Sequence, residues 1–120
     1  MKAIIGITRW TDTSEELRAL ARRVNAGERL PETDYHLNFA SPVDLLSALP
    51  LERLRTLREI KTAGPLSVYR LAKRLGRNYS NVHADVKRLV ELSLVEQDTN
   101  GVSVPFEDIV VRVDASLMAA

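Results

Sequence analysis

Cysteine is absent from this 120-residue chain. That excludes a disulfide framework, a thiol nucleophile and a cysteine-ligated zinc, and it suits a cytoplasmic setting. Histidine occurs only at His36 and His83, and neither has a ligand or nucleophile at motif spacing. The chain therefore offers no catalytic relay and no metal-ligand set. The five glycines stand singly at 6, 27, 64, 76 and 101, so there is no glycine-rich loop to cradle a phosphate. Aromatic residues make up only 5%, which leaves the core to Leu, Val, Ile and Ala. No apolar run approaches the roughly 18 residues of a membrane span. The short run from Met1 to Ile7 meets Thr8 and Arg9 too early for a signal peptide. The expectation is a soluble cytoplasmic protein with no cofactor, no metal, no membrane partner and no enzymatic activity.

What the chain does contain is unevenly placed. Apolar residues at 45% and charged residues at 28% are ordinary proportions for one compact domain. The net charge of +1 conceals a division. Residues 1–50 hold 6 Lys/Arg and 7 Asp/Glu (−1), residues 51–90 hold 10 and 3 (+7), and residues 91–120 hold 1 and 6 (−5). A basic block of that density is the electrostatic footprint of phosphate binding, although a solvated helical surface has the same composition.

Lys2–Ile7 is rich in Ile and predicts a strand. Thr13 and Glu16 have capping-box spacing, and Leu17, Leu20, Ala21 and Val24 continue at helical spacing towards Gly27. Tyr35-His36-Leu37-Asn38-Phe39 alternates as a half-buried strand does. Ser41-Pro42-Val43-Asp44 opens a helix with a cap, a proline at the first position and an acid in the first turn; Val43, Leu45, Leu46 and Leu49 supply its apolar face. After Pro50 a helix over 51–62 has an apolar stripe of Leu51, Leu54, Leu57 and Ile60, with Arg53, Arg55, Arg58 and Lys61 on its polar face. Gly64-Pro65 closes it, the glycine being able to take a left-handed conformation.

The stretch 65–94 organises the rest. Ser67 caps a helix whose buried stripe is Val68, Leu71, Ala72 and Leu75, with Arg70, Lys73, Arg74 and Arg77 outward. Gly76 permits a sharp turn, and Asn78 caps a second helix, 78–92, that buries Val82, Val86, Leu89 and Val90. Tyr79, Ser80, Asn81, His83, Ala84 and Lys87 remain outward. Two short β runs, 94–97 and 102–104, flank Asp98-Thr99-Asn100-Gly101, and an Asn-Gly pair in that setting signals a hairpin. Ile109–Val113 reads as a last strand, and 115–120 as a tail.

Helix 51–62, helix 67–75, helix 78–92 and hairpin 94–104 together resemble the winged helix-turn-helix domains of prokaryotic transcriptional regulators, the MarR-like and ArsR-like groups above all. The words that carry the resemblance are Gly64-Pro65-Leu66-Ser67, Leu71-Ala72-Lys73-Arg74-Leu75-Gly76, Asn78 to Val82, and Val86 to Val95. It implies an α+β fold, a winged helix-turn-helix domain at 51–114 behind an N-terminal strand–helix–strand extension at 1–50, which with the strand at 109–113 is the candidate dimer interface. It implies a sequence-specific regulator, a repressor acting by operator occupancy, that reads the major groove of double-stranded DNA as a homodimer. Carried over by position, Asn81 offers an amide matched to adenine, Ser80 reaches a base or phosphate, and Tyr79 a phosphate or thymine methyl. His83 donates or accepts, Ala84 leaves room for close approach, and Lys73, Arg74, Arg77 and Lys87 clamp phosphates. Ser67, Arg70 and Asn78 complete the same face. The chain is also similar to short regulators that act as antitoxin and autorepressor beside a toxin gene, which implies a cognate toxin as a second partner. In that resemblance the hairpin departs from pattern: Glu96-Gln97-Asp98-Thr99-Asn100-Gly101 carries acids where basic residues are usual. Either it stays off the DNA, or only Thr99 and Asn100 touch it.

Overall fold

The computed structural model of the protein describes residues 1–7, 18–19, 21–22, 25–27 and 34–112. The expected Thr13–Glu16 capping box, the expected helix positions Leu17, Leu20 and Val24, Val113 and the tail lie outside the described residues. The fold is α+β, with two sheets. Its strands are β1 (Ala3–Ile7), β2 (Tyr35–Phe39), β3 (Glu96–Asp98), β4 (Gly101–Ser103) and β5 (Ile109–Val111). Its helices are α1 (Pro42–Ala48), α2 (Leu51–Ala63), α3 (Val68–Leu75) and α4 (Tyr79–Glu91), and Arg18, Ala19, Ala21, Arg22 and Asn25 are also helical. No helix among the described residues is long and apolar enough to cross a membrane.

The chain divides into two compact units, 1–45 with 106–120, and 46–105. In the first, β1 is the central strand of a parallel three-stranded sheet ordered β2-β1-β5. Ala3 pairs with both Tyr35 and Ile109, and Ile5 with both Leu37 and Val111. A strand flanked on both sides has no free ladder groups to solvate, and Ala3 and Ile5 are fully buried. Parallel neighbours require a crossover, and the helical residues between 18 and 25 lie in the segment joining β1 to β2. Tyr35 stacks on Phe106 at 5.6 Å. Strand β5 therefore belongs with the N-terminal unit, where the expected boundaries had assigned it to 51–114.

In the second unit α2, α3 and α4 pack on one another around Leu57, Ile60, Leu71, Val82, Val86 and Leu89. Ser67 accepts a hydrogen bond from the Arg70 amide at 3.1 Å and Asn78 one from the Ser80 amide at 2.8 Å, so both are side-chain caps. Gly76 has φ +63°, the left-handed geometry that ends α3 and lets α4 start three residues on, after its cap Asn78. Gly64 differs from expectation: its φ is −69°, and glycine is required there by space, because a Cβ would lie 2.7 Å from the Ile60 carbonyl oxygen and 2.8 Å from that of Val102. Strands β3 and β4 form an antiparallel hairpin in which Asp98 pairs with Gly101, so the turn falls on Thr99-Asn100. Asp98 Oδ1 accepts from the Asn100 amide at 2.8 Å and closes that turn. Leu66 exchanges two backbone hydrogen bonds with Val102, at 3.2 and 2.8 Å, and ties the hairpin to the start of α3.

Four apolar expectations fail for one reason: a helix stripe is wider than the core it meets. Val43 (72% exposed) and Leu46 (56%) lie on the open side of α1 while Leu45 and Leu49 are buried. Leu51 is 63% exposed in the first turn of α2, and Val90 is exposed beside buried Leu89.

Candidate nucleic-acid interface

Helix α4 is two-sided. Val82, Asp85, Val86 and Leu89 are buried, and Tyr79, Ser80, Asn81, His83, Ala84 and Lys87 are exposed. The exposed set occupies its first turns, where side chains are polar, short or planar and the backbone begins with amides that no helical carbonyl accepts. The Tyr79 and His83 rings, one turn apart, lie 5.9 Å from each other at a 34° tilt. Asn81 and Ser80 make no side-chain hydrogen bond among the described residues, so their donors and acceptors face solvent.

The orientation of this face is set from behind. Asp85, 7% exposed, points from α4 towards α2. Its Oδ1 accepts from Arg53 Nε at 3.2 Å, and its Oδ2 from Arg77 Nη1 at 2.7 Å. The Thr56 hydroxyl, fully buried, also accepts from Arg77 Nη1 at 2.9 Å, and can give its proton to Asp85 Oδ2 at 3.1 Å or to the Glu52 carbonyl at 3.0 Å. Arg53 Nη1 donates to the Ala48 carbonyl at 2.7 Å. Charge-assisted bonds of this kind have narrow geometry, so the cluster fixes the rotation of α4 about its axis.

The cluster corrects one expected site residue. Arg77 is not an outward phosphate clamp: its guanidinium is turned inward to Thr56 and Asp85, with Glu52 Oε2 at 3.8 Å from its Nε. Arg74 is exposed but paired, its Nε donating to Glu59 Oε1 at 2.6 Å. Arg53, Arg55 and Arg88 are also in ion pairs, with Asp85, Glu52 and Glu91. Of the ten cations in 51–90, five are thus neutralised locally; Arg58, Lys61, Arg70, Lys73 and Lys87 make no ion pair among the described residues. On α3 and α4 the cations open to phosphate are Arg70, Lys73 and Lys87.

The expected residues do not share one hollow. Ser67 and Tyr79 line a groove with Asp98, Thr99 and Asn100 of the hairpin turn. His83 and Lys87 line a cleft with Val90 and Gln97, and Arg70, Lys73 and Arg74 line a third beside Pro65. Tyr69 escaped sequence reasoning. It is 58% exposed on α3, lines the first groove with Tyr79, and carries Lys73 Nζ 4.7 Å above its ring. Its spacing of four from Lys73, off the apolar stripe, was the available signal. Asp85 was also legible as the single charge at a stripe position, three residues after Val82 and four before Leu89. Among the described residues no three His, Asp or Glu side chains gather to hold a metal ion.

By class this is a small α+β protein in which a helical triad carries a two-stranded hairpin. A family model described as HVO_A0114 matches residues 48–111, more than half the chain, and the protein belongs to that family. No curated protein matches the sequence.

Proposed function

We propose that the protein is a sequence-specific, double-stranded DNA-binding regulator of the winged helix-turn-helix kind, which reads the major groove with α4 as a homodimer and represses by occupying its operator. It acts without enzymatic chemistry. The observation that carries this reading is the division of α4: a buried acid network holds one side, and Tyr79, Ser80, Asn81, His83 and Lys87 are exposed on the other. An amide on the third residue of the helix suits bidentate bonding to adenine, and the flanking small residues let the helix approach the base edges. Arg70, Lys73 and Lys87 supply backbone contacts that add affinity without sequence information. Two copies are needed because one helix reads only a few base pairs, and paired half-sites multiply the discrimination.

Selection from a library of randomised duplexes tests this directly. The expected result is an enriched site with two related halves, for which Asn81→Ala weakens binding by about 1–3 kcal/mol and relaxes preference at one position of each half. Absence of any enriched sequence would overturn it.

A further inference from the structure

The acidic hairpin sits where it cannot be indifferent to a duplex lying on α4. Its turn shares one groove with Ser67 and Tyr79, at the end of α4 whose residues face the bases in the proposed docking. The hairpin cannot swing clear without losing structure. Leu66 exchanges two backbone hydrogen bonds with Val102, whose side chain is fully buried. A Cβ on Gly101 would collide with the Leu66 carbonyl, which shows how closely the two backbones run. Glu96 and Asp98 are exposed, and among the described residues neither has a cationic partner. Of these two uncompensated carboxylates, that of Asp98 lines the groove beside the start of α4, and that of Glu96 is exposed two residues away on the same strand.

We propose that this hairpin is an electrostatic brake: Glu96 and Asp98 repel the DNA backbone and hold the overall affinity down, so that occupancy depends on the base contacts of α4. The inference rests on the DNA-binding reading. It predicts a gain in affinity on neutralisation, which separates it from a hairpin that contacts DNA through these residues and from one that never approaches it. A unit charge about 4 Å from a phosphate, inside the ~8 Å screening length at physiological salt, is worth about threefold in binding.

The test is a fluorescence anisotropy titration of the full chain with a labelled random duplex and, separately, a selected one, at ~0.05 to ~0.3 M salt. The variants are Glu96→Gln, Asp98→Asn and the double. Asparagine keeps an acceptor for the Asn100 amide, so the turn is retained. Glu52→Gln is the charge-matched control, since Glu52 lies near Arg77 on the Asp85 side of α4 rather than on its exposed face. Each single substitution is expected to tighten both duplexes by about threefold and the double by about tenfold, the gain shrinking as salt rises. The control should stay within about twofold of wild type. Unchanged or weakened binding in the double variant, or an equal gain in the control, would overturn the brake while leaving DNA binding intact. A wild-type chain that binds neither duplex would overturn the DNA-binding reading itself, and the brake with it.

Discussion

Asp85 interrupts an otherwise apolar stripe on α4, between Val82 and Leu89, and receives Arg53, Arg77 and Thr56 there. Desolvating a carboxylate is costly, and the two guanidinium partners offset it only while all bonds are made. Asp85→Ala should therefore lower the unfolding free energy by about 3–5 kcal/mol in a urea titration, because two cations lose their partner; a loss below about 1 kcal/mol would show the network to be slack. The same geometry separates two cations that look alike in sequence. Lys73→Met should reduce the salt dependence of the proposed DNA binding by about one counterion per protomer with little change in stability. Arg77→Met should do the opposite, destabilising the fold and leaving the salt slope of the folded fraction unchanged. Equal salt effects from the two would contradict the inward placement of Arg77.

At the scale of elements, the helices are set by their ends and the hairpin by a clamp. Ser67 and Asn78 each satisfy an otherwise orphaned amide, and alanine at either should cost about 1 kcal/mol of stability by thermal or chemical unfolding. If Ser67 acts as a cap, Ser67→Ala should not alter DNA specificity. Gly101 has φ +115° and faces the Leu66 backbone, so Gly101→Ala should cost about 1–3 kcal/mol and loosen the hairpin first. Amide exchange at Val102, whose N–H bonds the Leu66 carbonyl at 2.8 Å, would report that loosening, and unaltered protection there would contradict the clamp.

Across the molecule, local signals were legible and long-range ones were not. The caps at Ser41, Ser67 and Asn78, the stop at Gly76 and the hairpin after α4 all follow from neighbouring residues, whose chemistry acts within one turn of chain. The strand order β2-β1-β5 does not, because Ile109–Val111 returns to pair with Ala3–Ile5 across the whole intervening unit, and no spacing rule encodes that partner. The inward turn of Arg77 was hidden for the same reason: its partners Thr56 and Asp85 come from two other helices. Periodicity marked Arg77 as outward, and tertiary charge pairing decided otherwise. The basic block was legible as +7, yet among the described residues pairing leaves Arg70, Lys73 and Lys87 open on α3 and α4.

That reduced count makes the salt dependence of DNA binding the most direct test of the account. The three phosphate contacts proposed for each protomer predict a slope of log K against log salt of about −3 for one protomer and about −5 for the proposed dimer. Measured on the selected duplex by anisotropy, a slope near −5 that becomes shallower by about two when Lys73→Met is introduced in both copies is the predicted result. A slope near zero, or one unmoved by Lys73→Met, would contradict the claim that α3 and α4 form the DNA-binding face.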